Sequence, residues 1–508
     1  MENNRSTWGS NIGFLMAAVG SAVGLGNIWG FPYKMGKSGG FTFLLVYLLL
    51  AIFVGVIIMV SELALGRKTL SAPIAAYQKA SKKYKWLGWL AVLSPFLIMT
   101  FYSVLGGYCI YYIVINVIGI FNGMPDSSSF GALLTNIPVS IGVLVLFMVI
   151  CAAIVAGGVS SGIEKFNKVG MPALFVMLVI VIVKAWTLPN SVEGLKFMFV
   201  PGYAVSAGFI SEAPDFITVL GTAGGQMFFS LSLAMGAMIT YGSYISKEEN
   251  LTKNSIIIVI SDTLVAIMAG LAVIPAAVAN GINNGVPVSE IKLSGPNLLF
   301  ATLQDVFKSM GTIGGVFGFI FYALVLIAAI SSAISLMEVL TAHFFDKKVE
   351  KVGPDKADRK TITLWVSAAI TVVAIIVSAD GLGSNGFAPA NLLGLPADGW
   401  SDCWLDFMDC WSEGIMMPLG AMLMALMIAG ELKPKYVLDE IANGGNSKGA
   451  FAKFYKFCIC YVVPLAMVLV FAGQLQAFFG NIGMVAYVIA FIVLIIFMWH
   501  TLIPQSED

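Results

Sequence analysis

The sequence predicts an all-α protein that crosses a membrane many times. Three observations carry this. Of 508 residues, 58% are hydrophobic and 11% charged, with a mean hydropathy of +0.90; soluble domains hold roughly 45–50% apolar residues. Twelve apolar segments are long enough to span, at roughly 20 residues each. The first and sixth of them are interrupted by glycine and polar residues.

Composition also excludes classes. Formal net charge is zero and no basic run is interleaved with aromatics, so nucleic acid is not an expected partner. The start, MENNRSTW, is polar, and no cleavable signal peptide is expected. Six cysteines are present. Cys109, Cys151, Cys458 and Cys460 lie in apolar segments and read as packing residues. Cys403 and Cys410 read as external, with a disulfide between them as one expectation. Two histidines, His343 and His500, are too few and too far apart for a metal cluster. No nucleophile–base set points to an enzyme.

The predicted spans are 12–35, 41–65, 87–121, 134–156, 170–187, 217–244, 253–279, 311–345, 361–379, 403–430, 454–477 and 483–503. With the N-terminus inside, 22 of the 28 Lys and Arg residues fall in cytoplasmic loops. That asymmetry puts both termini in the cytoplasm. Loops 189–216, 280–310 and 380–402 are then long and external. One of them contains NLLFATLQDVF, an amphipathic stretch expected to lie as a helix on the surface.

Span one, within NIGFLMAAVGSAVGLGNIWGFPYKMGKSGG (11–40), carries Gly20, Gly24, Gly26, Asn27, Gly30 and Pro32. The glycines suit close packing against a neighbouring helix, or an unwound stretch near 22–26. Non-helical backbone at membrane depth is tolerated only where it lines a cavity or is buried in protein. Freed carbonyls there would suit a cation, and the next half-helix would aim its N–H groups at an anion.

Span six, TAGGQMFFSLSLAMGAMITYGSY (222–244), breaks around Ser230, Ser232 and Gly236. Broken spans in corresponding positions predict two five-helix halves, near 9–188 and 217–431, of inverted topology, with a midplane binding site. Spans eleven and twelve, 454–477 and 483–503, stand outside the repeat of this single transmembrane domain. Carboxylates at depth are costly and therefore functional candidates. Glu62, at the end of span two, is placed to accept hydrogen bonds from unwound span one, or is an interfacial charge. Asp262 lies deep in span seven, and its partner is another helix or an ion. Glu338 lies nearer the inner end of span eight. Ser331 and Ser332, with the carbonyl of Ala328, offer hard oxygen ligands for a small cation, or are back-bonded packing residues.

The ordered strings SAVGLGNIWGFPY, SGGFTFLLVY, SELALGR, GQMFFSLSLAMGAMITYGSY, IPAAVA, AAISSAISLME and LDFMDCW resemble the neurotransmitter:sodium symporters, in their prokaryotic amino-acid transporter branch. The resemblance covers about residues 5–430 and implies the LeuT-type fold.

It further implies two sodium sites. The first would use the carbonyl of Ala22, Asn27, Ser230, and either Ser261 or Asp262. The second would use the carbonyls of Gly20, Val23 and Ala328 with the hydroxyls of Ser331 and Ser332. An amino-acid carboxylate would sit on the N–H groups of Leu25 and Gly26 beside Tyr102, with Phe229 closing over it. Ser21, Ile98, Ser232, Met235, Ser332 and Leu336 would line the side-chain pocket. Gly24 stands where amine-carrying relatives place an Asp, which favours an amino acid; the methyl of Ala234 is expected to shrink the pocket.

Chloride-dependent relatives bind their anion at positions matched here by Tyr47, Gln226 and Ser230, but position 265 is Val and Asp262 is one residue from the remaining position. A fixed carboxylate there implies chloride-independent transport, with Asp262 linking transport to protons. The inner gate would comprise Arg5, Trp8, Tyr244 and Asp346, with an Arg5–Asp346 ion pair. Asp409 matches the acidic half of the outer gate, but its Arg partner position is Gly30. Lys34, Lys37 or a water network is expected to substitute, and Glu413 adds acidity. Gly13, Gly170 and Pro172 read as hinges.

The implied function is sodium-coupled symport of a neutral L-amino acid by alternating access, across a bacterial inner membrane, by a monomer or loose dimer. Small or medium aliphatic side chains are favoured and aromatic ones compete. A transporter-like sensor, a carrier of a non-proteinogenic amino acid or betaine, and a gated channel are the alternatives.

Overall fold

A computed structural model describes residues 7–480, save 292, 294 and 443–448, together with 490 and 494. Apart from 490 and 494, span twelve, at 483–503, falls outside the described residues, as does Arg5.

Among the described residues the chain is helical, with nine continuous helices long and apolar enough to cross a membrane. They are Phe41–Thr69, Leu87–Asn122, Ile137–Ala156, Val159–Trp186, Leu251–Asn283, Thr312–Val352, Arg359–Asp380, Trp404–Leu432 and Ala450–Phe479. Span one is the pair Asn11–Ala22 and Gly26–Lys37, bent by 44° at its break. Span six is Phe216–Ser230 followed by Ala237–Gly242. Both interruptions fall where the sequence places them.

Span five begins earlier than expected, at Val159. The charges that suggested a loop are absorbed into the helix: Lys168 pairs with Glu164 at 2.7 Å, one turn away, and Asn167 donates to Ile163 O at 3.0 Å. Span eight likewise continues to Val352.

The stretch 298–309 is helical but not a surface helix. Leu298, Leu299, Phe300, Leu303, Val306 and Phe307 are buried, and Tyr322 of span eight donates to Leu299 O at 3.0 Å. Its Gln304 exchanges amide hydrogen bonds with Asn116 of span three, at 3.0 and 3.3 Å. Residues 295–309 are thereby fixed to the helices below, and Trp29 Nε1 adds a bond to Gly295 O at 3.1 Å. Cys403 and Cys410 are both buried and unpaired, so the expected disulfide is absent. Cys403 instead caps the following helix through Asp406 N and donates to Asp406 Oδ2 at 3.1 Å.

Candidate functional site

The break in span one starts from helix-end chemistry. The last carbonyls of Asn11–Ala22 have no intrahelical partner, and hydroxyls from two other spans take several of them. Ser232 of span six donates to Ser21 O at 2.8 Å. Ser332 of span eight donates to Ser21 O at 2.9 Å and lies 3.4 Å from Gly20 O. Ser331 reaches Val23 O at 3.2 Å and Ala328 O at 2.9 Å. The oxygens of Gly20, Val23, Ala328, Ser331 and Ser332 are thus gathered in one buried place. The side chain of Ser21 is tied to Ser335 at 2.7 Å, a residue the sequence reading passed over.

Beyond Val23 the chain turns on Asn27, whose Oδ1 accepts from Gly24 N at 3.0 Å. Asn27 Nδ2 donates to Asp262 Oδ1 at 2.7 Å and to Asp262 O at 3.2 Å. The same carboxylate accepts from Ser230 at 2.9 and 3.0 Å and from Tyr47 at 3.2 Å. Asp262 is fully buried, whereas Ser261 is partly exposed. Of the two positions left open on span seven, Asp262 therefore faces the cluster and Ser261 does not. Ala22 is buried at the end of the first half-helix. Gln226 Nε2 holds Gly26 O at 2.7 Å, leaving Gln226 Oε1 buried without a partner.

Leu25 N donates to the hydroxyl of Tyr102 at 2.9 Å. The ring of Phe229 lies 6.3 Å from that of Tyr102 and against Gly26, where a Cβ would sit 2.7 Å from it. A Cβ on Gly24 would collide with Ser332 Oγ and Tyr102 Oη. No side chain fits at position 24 in this arrangement, so span one offers no carboxylate there. Ile98, Met235 and Leu336 are buried.

Span six is unwound between its halves, with φ of +53° at Ser232, +61° at Ala234 and +73° at Gly236. Left-handed conformations are costly for non-glycine residues. Glu62 accepts from Ala234 N at 2.6 Å and so supports this backbone. The expectation that Glu62 serves span one is corrected: its partner is the break in span six. The Ala234 methyl lies 3.9 Å from the place of a Cβ on Gly420 in span ten.

At the N-terminal end of the bundle, Trp8 Nε1 donates to Tyr241 O at 3.2 Å, and its ring meets Tyr241 and Tyr244 edge-on at 5.0 and 6.1 Å. Asp346 accepts from Ala72 N at 3.1 Å; the expected Arg5–Asp346 pair lies outside the described residues. Tyr244 donates to Glu338 Oε1 at 2.7 Å, and Arg359 binds Glu338 Oε2. Arg359 had read as one of many loop cations, so this pair was not anticipated. Gly13 packs on Glu164, leaving no room for a side chain.

At the opposite end, Asp409 is half-buried. A Cβ on Gly30 would lie 2.8 Å from Gln226 Oε1. Lys34, expected as a stand-in partner for Asp409, is ion-paired with Glu413, and both lie close enough to Asp409 to act on it, Glu413 through a side-chain hydrogen bond.

Among the described residues, no group of three or more His, Cys, Asp or Glu is placed to hold a metal ion. The donors gathered at the two breaks are carbonyls, hydroxyls, an amide and one carboxylate, all oxygen, which suits a hard cation rather than a soft, thiolate-seeking metal.

A model of the Sodium:neurotransmitter symporter family matches residues 5–120 and 132–503. The chain is 33% identical to the uncharacterized sodium-dependent transporter YhdH of Bacillus subtilis, over 91% of this chain and 96% of that protein. Identity to the creatine transporter of Torpedo marmorata is 24%, over 80% and 71% of the two chains. The crystal structure of MhsT in complex with L-phenylalanine superposes with a TM-score of 0.79 at 33% identity, covering 93% of this chain and all of that one.

Proposed function

Because this chain belongs to the sodium:neurotransmitter symporter family, a family of transporters and not of enzymes, we propose that it carries a neutral L-amino acid into the cell with sodium. The observation that carries this reading is the meeting of two broken spans on a set of buried oxygens. The set ends at amide N–H groups beside Tyr102, with no fixed side chain at Gly24.

Two sodium ions are the coupled cargo. The first is bound by Ala22 O, Asn27, Ser230 and Asp262, and its shell is completed by the carboxylate of the solute. The second is bound by Gly20 O, Val23 O, Ala328 O, Ser331 and Ser332. The hydroxyls of Ser331 and Ser332 already lie within hydrogen-bond reach of these carbonyls, so a sodium ion would take over contacts now made by their protons. The solute carboxylate is held by Leu25 and Gly26 N–H and by Tyr102, under Phe229.

Transport is chloride-independent in this reading. Asp262 supplies a negative charge at the place where Tyr47, Gln226 and Ser230 would otherwise help hold an anion. It is charged when sodium is bound and takes up a proton on the empty return. The membrane potential adds about 2.3 kcal/mol per charge per 100 mV. Both termini are cytoplasmic, as the loop charges require.

The apolar lining of Ile98, Met235 and Leu336 suits a side chain of small or medium aliphatic size. The flexible Met235 admits an aromatic one, and the similar MhsT was crystallised with L-phenylalanine. Thermal stabilisation of the purified protein by each amino acid, in sodium and in potassium, tests the reading. One chemical group of amino acids is expected to stabilise in sodium only. Stabilisation by none of them, or equally in potassium, would overturn it.

A further inference from the structure

Among the described residues the buried glutamates are Glu62, Glu164, Glu338 and Glu413. Three of them have a cation: Lys168 on Glu164, Arg359 on Glu338 and Lys34 on Glu413. Glu62 has none. It is fully buried, its Oε1 accepts the N–H of Ala234 at 2.6 Å, and its Oε2 meets no hydrogen-bond partner. The elements packed here bring no charge to it. Ala234 lies by Gly420 of span ten, and Gly236 by Pro73 and the carbonyl of Ala91. Among the described residues no Lys, Arg, His, Asp or other Glu acts on Glu62, and its titratable neighbour is Tyr77, on the helix Pro73–Ala80.

A carboxylate out of water keeps its charge only against a cation or several N–H donors. Glu62 has one N–H. As a neutral acid it leaves a single O–H unpaired at Oε2, whereas ionised it leaves a whole charge unpaired, and the second costs far more. The charge is tolerable once water reaches the group. The shield against water is the inner half of span six. Gly66, one turn on from Glu62, packs against the carbonyl of Ile239, and Gly242 packs against the carbonyl of Leu63. Trp8 holds the same half through Tyr241 O.

We propose that Glu62 is a proton-binding site, which holds its proton while the Trp8 end is closed and yields it to water when that end opens. The O–H bond at Oε2 breaks, the electron pair stays on the carboxylate, and the proton passes to water. Acid on that side therefore favours the closed state. This site is separate from Asp262 and needs no bound solute, so it stands apart from the symport reading.

Infrared spectra of the full-length purified protein test it, with and without glutamate carrying heavy carbon in its side-chain carboxyl. An un-ionised acid has a carbonyl stretch that a carboxylate lacks. The label moves that stretch for glutamate and leaves it for aspartate, Asp262 included. A labelled acid band is expected in the wild type at neutral pH, lost in E62Q and kept in D262N. Should E62Q fail to fold, E62D carries the same expectation, because the label no longer reports on position 62. Hydrogen exchange over 237–244 is read alongside. Taken relative to E62Q at each pH, wild-type exchange is expected to speed up as pH rises, by up to about tenfold per unit of pH for a one-proton step. The absence of a labelled acid band overturns the proposal. So does a band that survives both E62Q and E62D, or a wild-type exchange rate that keeps a constant ratio to that of E62Q.

Discussion

Asn27 Nδ2 lies 2.7 Å from Asp262 Oδ1, and this bond joins the break in span one to the middle of span seven. Ser230 and Tyr47 donate to the same carboxylate, so Asp262 gathers spans one, two and six around a single charge. D262N keeps the shape and removes the charge. Replacing a buried charge by a neutral group need not cost folding stability, but a cation beside it loses its fixed counter-charge. The sodium-free melting temperature should stay unchanged or rise. The apparent sodium affinity should fall about tenfold or more, in line with the 1.5–3 kcal/mol of a charge-assisted contact, and added chloride should restore part of it. A sodium titration followed by melting temperature, in chloride and in gluconate, measures both. Wild-type sodium affinity that needs chloride would overturn the role of Asp262.

Ser331 and Ser332 gather the second set of oxygens. S331A removes a hydroxyl that reaches Val23 O and Ala328 O in a fully buried place. Leaving buried acceptors without a partner costs about 1–3 kcal/mol. Apparent sodium affinity is expected to drop by about fivefold to a hundredfold, while S331T keeps an oxygen there and stays within about threefold of the wild type. Equal sodium affinity in S331A and the wild type would remove Ser331 from the site.

The two breaks were legible because each is a local string, while most of the candidate site residues followed only from the resemblance. Glycine and polar residues inside apolar spans marked both breaks, and the serines of span eight stood beside each other. Side-chain facing was not legible where one residue of slip decides it. Ser261 and Asp262 are neighbours in an apolar helix, and only burial against span one separates them. Partners distant in sequence were equally hidden. Glu62 had two broken spans within reach and takes the N–H of Ala234. Lys34 had several acidic residues to choose from on span ten and pairs with Glu413. Charge counts also misplaced the start of span five, because Lys168 is neutralised along its own helix by Glu164.

Gly24 tests the reading of the solute. Its missing side chain leaves Ser332 Oγ and Tyr102 Oη in place, and Tyr102 in turn holds Leu25 N. G24A forces both groups aside, at a cost of about 1–3 kcal/mol for overpacking. The protein should fold with a modestly lower melting temperature and lose most of its stabilisation by amino acid. Its sodium-only stabilisation should fall less. Full amino-acid stabilisation of G24A would place the solute elsewhere.

Glu338 holds the other end of the bundle. It is fully buried, with Tyr244 on one carboxylate oxygen and Arg359 on the other. Tyr244 belongs to the segment just after the second half of span six, while Arg359 begins span nine. Separating the segment after span six from the start of span nine at this end must part them. E338Q leaves Arg359 largely buried without its counter-charge, a change that costs about 3–5 kcal/mol when a buried pair is broken. A marked fall in melting temperature is expected, with faster hydrogen exchange over 237–244 and little change over 25–30. E338M/R359M removes both charges and should recover most of the lost stability, because apolar replacements of similar volume often match a buried pair. A double variant as unstable as E338Q would mean that packing around Glu338, not the ion pair, holds this end closed.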